Sequence, residues 1–238
     1  MELKREHWSE EDYIVFMEYL SSIAEEKYKK FSQALTPDTP NMLGVRIPTL
    51  RKIAKEILKG DFAGFLALKK GDGHEEGIIE GLVMAGAKLP YPEMFKMMQR
   101  YSGKIYNWAM CDTVSFKGVK QHRAEFFEDV DLFLKNDNPW AIRYGLLHLM
   151  GFFLDSEYIE RVLDKVRSVK SDFYYVEMMQ AWILATAVAK CREQTVSALA
   201  SGGFSARVMK MTAQKVRDSY RVSASDKQLI TEISKNFT

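Results

Sequence analysis

Cysteine, proline and long apolar runs are all scarce in this 238-residue chain, and each scarcity removes a class of protein. The two cysteines, Cys111 and Cys191, lie far apart and form no CxxC or CxxxH pair, which argues against a zinc site or a disulfide framework. A reducing cytoplasm is the expected compartment. No run of ~18 apolar residues occurs, so no membrane-spanning helix is expected. The stretch Met1 to His7 has no apolar segment behind it and does not read as a signal peptide. Charge of one sign is also lacking: 34 Lys+Arg face 32 Asp+Glu, a net charge of +2. Any electropositive site must therefore come from how the charges are distributed, not from their sum. Lys70 to Gly73 lacks the phosphate-cradling loop pattern, and no cluster has metal-ligand spacing. Neither a metal nor a cofactor is expected.

What is present reads as helix from end to end. Hydrophobic residues make up 47% and charged residues 28%, the balance of an ordinary globular chain. Ser9 followed by Glu10, Glu11 and Asp12 looks like an N-cap with an acidic first turn. Behind it Tyr13, Phe16, Met17 and Leu20 recur at helical spacing. Pro48 opens a helix with Leu50, Ile53, Ala54, Ile57 and Leu58 as its apolar face, and Gly60 stops it. Further helices are expected over 75–87, 92–101, 107–116, 122–134, 139–153, 156–169, 173–190, 193–201, 206–220 and 225–236. Short polar linkers separate them, and no Gly/Ser-rich segment or composition shift divides the chain. The expectation is a single all-α domain over 1–238.

A period runs through the second half. Trp108, Arg143 and Trp182 each sit within the first three turns of a helix, 35 and 39 residues apart, and a further step of similar size lands near Arg217. One helix lies between each pair. A helix–turn–helix unit of about 35–45 residues marks an α-α superhelix of the HEAT or armadillo kind, in which every second helix lines one concave face. Trp108, Asp112, Arg143 and Trp182 are then expected to be partly exposed along one groove.

Trp108 and Asp112 stand at i, i+4 and project from one helical face. A carboxylate beside an indole can meet a developing positive charge through Coulomb and cation–π attraction. A core tryptophan and a surface aspartate would give the same spacing. Arg143, one turn after Pro139, has the planar fork that matches a phosphate, or it serves in an ion pair. Trp182 is flanked by Ala181 and Ala185, which leaves room for a groove without requiring one. Lys210, Arg217 and Arg221, spaced 7 and 4 apart, form either a phosphate-contacting stripe or a solvated basic face. His148, inside an apolar run, reads as a hydrogen-bonded core histidine, and Cys111 as a packing residue.

Four segments in this order resemble the AlkD-like DNA alkylation repair family, HEAT-like-repeat DNA glycosylases. They are Gly44-Val-Arg-Ile-Pro48 before a basic helix, Trp108-Ala-Met-Cys-Asp112, Trp140-Ala-Ile-Arg143, and Trp182 after Phe173-Tyr-Tyr175. The resemblance covers about Met17 to Ser234. It implies excision of cationic N3- or N7-alkylated purines from double-stranded DNA, without flipping the damaged base into a pocket. It assigns Asp112, Trp108 and Trp182 to catalysis: Asp112 opposes the oxocarbenium charge and orients water, and the two tryptophans pack against the sugar and its flanking backbone. Arg143, Arg46, Arg51, Lys210, Arg217 and Arg221 become the DNA-binding residues. Asn107 stands where active members carry a second aromatic, and Ala185 and Thr186 where they carry charges. A non-catalytic DNA-binding member of the fold and a protein-interaction scaffold are the alternatives.

Overall fold

The computed structural model describes residues 1–37 and 39–236, and all regular structure among them is helical. In chain order the helices are α1 (Glu10–Ser22), α2 (Glu26–Leu35), α3 (Ile47–Ile57), α4 (Phe62–Ala67), α5 (His74–Gly86), α6 (Tyr91–Ser102), α7 (Trp108–Thr113), α8 (Arg123–Asp129), α9 (Asp131–Leu134), α10 (Pro139–Phe152), α11 (Ile159–Ser168), α12 (Tyr174–Lys190), α13 (Arg192–Ser201), α14 (Ala206–Asp218) and α15 (Ala224–Lys235). A 3-10 turn spans Lys117–Gln121. None of these helices is long and apolar enough to cross a membrane. Tertiary contacts gather into two compact units, Met1–Gly118 and Val119–Thr238.

In the first unit Ser9 caps α1 as expected, and its side chain exchanges hydrogen bonds with Asp12 in a capping box. Phe16 and Leu20 are buried beneath α1, and Phe16 packs edge-on to Trp8 and Phe65. The apolar face of α3 is buried through Leu50, Ile53, Ala54 and Ile57. Helix α5 is the hub, packing on α3, α4, α6 and α7. It carries three buried carboxylates. Glu75 accepts the backbone N–H groups of Leu43, Gly44 and Val45 at 2.9, 2.6 and 3.1 Å. Glu76 accepts from the Tyr13 hydroxyl and from Gly71 N–H. Glu80 pairs with Arg100 at 2.7 Å and Lys104 at 2.6 Å. Helices α2 and α4 are not among those expected from sequence. Helix α2 has no fully buried residue and α4 is six residues long, so neither writes a strong apolar stripe.

In the second unit α10, α12 and α14 pack one on the next, and α11, α13 and α15 form a second row behind them. This is helical-repeat packing, and it places Arg143, Trp182 and Arg217 in one row, as their spacing implies. The helix expected over 122–134 is broken: α8 ends at Asp129 and α9 starts at Asp131. Val130 between them keeps helical φ and ψ of −59° and −23°, so the break is a bend, with Phe126, Phe127 and Phe133 buried around it. The helix expected from 156 begins three residues later, at Ile159.

His148 lies in this core as expected. Its Nδ1 bonds the Tyr144 carbonyl at 2.9 Å, among the rings of Phe126, Tyr144 and Phe152. Burial lowers its pKa to about 4. The folded state thus refuses a proton that the unfolded chain accepts near pH 6.5. Stability contributed by the neutral ring is complete above that pH and drains away as pH falls towards 4. The loss should reach about 3 kcal/mol at most. Denaturant melts from pH 7 to pH 4 should show it for the wild type, and a smaller loss for His148→Gln. Equal acid sensitivity in both would remove His148 as the cause.

Candidate nucleic-acid interface

Helix α7 is short, so its start must be held by something other than its own hydrogen bonds. Asn107 does this as N-cap: its Oδ1 accepts the Met110 N–H at 2.9 Å, and its Nδ2 donates to Thr39 Oγ1 at 2.8 Å. From below, the Tyr101 hydroxyl donates to the Met110 carbonyl at 3.0 Å. Met110 and Cys111 are buried on the inner face. Trp108 and Asp112 share the outer side, and both are half-buried. The Trp108 indole Nε1 donates to the carbonyl of Leu35, the last residue of α2, at 3.3 Å, which orients the ring. A half-open carboxylate one turn from a fixed indole can serve a cation brought to that face. Sequence reasoning saw Asn107 only as a missing aromatic. Its place directly before a helix was the available signal for a cap.

The Gly44 to Pro48 segment reaches α3 along an unusual path. Gly44 has a φ of +103°, and a Cβ there would stand 2.7 Å from the Glu25 carbonyl and 2.8 Å from Lys29 Cβ. Glycine is required on both counts. Arg46, two residues on, is exposed but engaged. It makes a two-pronged ion pair with Glu25 at 2.7 and 2.9 Å and lies 5.0 Å over the Tyr28 ring. Arg51 is exposed on α3 and has no ion pair among the described residues.

In the second unit Asn138 caps α10, with Pro139 in the first turn. Trp140 packs against Phe173 and Tyr175 at 5.3 and 5.0 Å between centroids. Arg143 departs from expectation. It is 4% exposed, and its Nη1 donates to the Tyr175 carbonyl at 2.8 Å. It ties α10 to the start of α12 and is not partly exposed. Trp182, by contrast, is 37% exposed. It lines an open cleft of about 630 Å³ formed by the ends of α10, α12 and α14.

The basic stripe divides. Lys210 and Arg217 are exposed and border a shallow hollow of about 410 Å³ on α14, together with Arg207. Arg221 lies on the Trp182 cleft instead. Helix α14 ends at Asp218, so the spacing of four from Arg217 to Arg221 is not a helical one. Arg207 is paired with Glu177 at 2.9 Å, and Arg217 is held by Gln214 at 2.5 Å. In the sequence Lys190 and Lys215 stand out only as members of a basic C-terminal part and Tyr220 does not stand out at all, yet all three border the cleft. The Lys215 ammonium stands 5.7 Å from the Trp182 ring. Tyr220 is fully exposed, the one signal being a tyrosine in a polar turn.

The sequence model of the family described as DNA alkylation repair enzyme matches residues 16–197. No curated protein matches the chain.

The cap on α7 is testable by itself. Asn107→Ala should destabilise the protein by about 1–2 kcal/mol, through the lost cap and the stranded Thr39 hydroxyl. Asn107→Ser should recover part of this loss. A denaturant melt of the alanine form that overlays the wild type would show that α7 does not depend on Asn107.

Proposed function

The chain belongs to the DNA alkylation repair enzyme family, and from that premise we propose that it is a DNA N-glycosylase acting on cationic N3- and N7-alkylated purines in duplex DNA. The observation that carries the reading is the pair on α7: Asp112 half-open to solvent, one turn from a Trp108 fixed by its own hydrogen bond. Alkylation at N3 or N7 places positive charge on the base, which then leaves as a neutral purine without a general acid. Charge moves to C1′ as the bond breaks. In this reading the Asp112 carboxylate opposes that charge and orients the attacking water, while Trp108 packs on the deoxyribose. Trp182 packs on flanking backbone. Arg51, Lys210, Arg217 and Arg221, all exposed, take phosphates. Arg46 can do so by exchanging Glu25 for a phosphate, and Arg143 serves by holding the Tyr175 carbonyl. A second reading, DNA binding without excision, is favoured by Ala185 and Thr186, which border the cleft where the resemblance leads one to expect charges.

Two measurements test the proposal. Asp112→Asn should cut single-turnover release of N7-methylguanine by about 10²–10³ while melting temperature holds. Its duplex affinity should not fall, because removing a negative charge near phosphates only relieves repulsion. A folded variant that excises at the wild-type rate ends the catalytic assignment. A wild type that binds duplex and releases no base selects the second reading. For the cations, Lys210→Ala with Arg217→Ala should weaken duplex binding without regard to sequence. The slope of log affinity against log salt should drop by roughly 0.9 per lost phosphate contact. An unchanged slope would place both residues outside the interface.

A further inference from the structure

The cleft beside Trp182 is built for something flat and anionic. Two aromatic side chains border it, Trp182, with the Lys215 ammonium 5.7 Å over its ring, and the fully exposed Tyr220. Three cations stand around it, Lys190, Lys215 and Arg221, against one acid, Asp218, which already accepts from Gln214 at 2.9 Å. Its floor is made of small side chains, among them Ala185 and Ala189.

Gly151 is the independent sign that this space is meant to stay open. It sits in the last turn of α10, and a Cβ added there would meet no atom within 4 Å. Other helical glycines are explained by packing: a Cβ at Gly81 would run into the Tyr101 ring at 2.2 Å, and one at Gly145 would stand 2.8 Å from Phe133 Cβ. Glycine is a poor helix former, and nothing within the fold requires it at 151. Gly151 borders the cleft, so a larger side chain there has open space to occupy beside it.

We propose that this cleft binds an unpaired nucleotide of a DNA strand, its base stacked on Trp182 and Tyr220 and its phosphates held by Lys190 and Arg221. In a paired duplex the faces of each base are covered by its neighbours, and only edges are offered. A base can stack on these rings only once it has left its own stack, whereas a paired duplex can bring only sugar and backbone to them. The volume of about 630 Å³ falls within the roughly 300–1,000 Å³ of sites for small ligands. The assignment rests on the reading of the chain as a DNA-binding protein, and it adds a preference for extrahelical nucleotides that excision from paired duplex does not need.

The test compares a duplex carrying a single-nucleotide 2-aminopurine bulge with the same duplex fully paired. The wild type should bind the bulged duplex about tenfold more tightly, with quenching of the 2-aminopurine as it stacks. Gly151→Leu, which fills the cleft, and Tyr220→Ser, which removes one face, should each bring the ratio to within about twofold of unity. Both should retain paired-duplex affinity and melting temperature. Equal wild-type affinity for the two duplexes, or a preference that survives Gly151→Leu, overturns the inference. Displacement of the bulged duplex by free dAMP at comparable concentration would reassign the cleft to a mononucleotide and overturn the commitment to DNA. Excision of N7-methylguanine without bulge preference sinks this inference alone; bulge preference without excision sinks the glycosylase reading alone.

Discussion

A carboxylate buried in a helical protein must find hydrogen-bond donors, and Glu75 finds three in consecutive backbone N–H groups. Much of the first unit follows from that contact. It fastens the segment 43–45 to the start of α5, the helix on which α3, α4, α6 and α7 all pack. With the segment held, Gly44 takes its positive φ against α2, and Arg46 and α3 start from a defined point. Glu76 and Glu80 repeat the principle on the same helix, the first with the loop at Gly71 and the second with α6 through Arg100 and with Lys104 just beyond it. The order of this unit thus comes from acids pointed inward as much as from apolar burial. Opposing a cation on α7 would ask the same chemistry of a carboxylate on the half-open side.

The second unit is ordered differently. Its row of α10, α12 and α14 packs by apolar contact, with Arg143 as a polar tie between α10 and α12 and the Arg207–Glu177 ion pair as one between α12 and α14. A buried guanidinium bonded to a backbone carbonyl resists sliding of one helix past the next, since slippage would strand its charge. Trp182 stands two turns beyond Tyr175, where the row is no longer covered. The stack therefore spends its buried arginine on structure and leaves its tryptophan partly exposed.

A net charge of +2 conceals a strongly uneven surface. Three acids of the first unit, Glu75, Glu76 and Glu80 on α5, are inward and committed. Around the end of α14 and the turn after it, Lys190, Lys210, Lys215, Arg217 and Arg221 collect, with Asp218 beside the Trp182 cleft and Glu232 beside Arg217. Duplex DNA responds to such local potential rather than to the sum of charges. The family assignment and the local charge thus agree, although overall composition is silent.

The all-helical content, the cap at Ser9, the buried face of α3, the shared row of Arg143, Trp182 and Arg217, and the core place of His148 were all legible in the sequence. Each of these depends on the 3.6-residue turn or on a cap a few residues long, which are local properties of the chain. So does the i, i+4 pairing of Trp108 with Asp112. Exposure is not local. Whether Arg143 or Trp182 faces solvent depends on what a helix 30 or more residues away lays over it, and there the sequence expectation failed for one and held for the other. Tertiary structure alone decided that Arg46 is matched by Glu25, that Arg221 leaves the stripe of Lys210 and Arg217, and that Lys190, Lys215 and Tyr220 join Trp182. The reason is that helix periodicity says which side a residue takes, while only the packing of distant segments says what stands on that side.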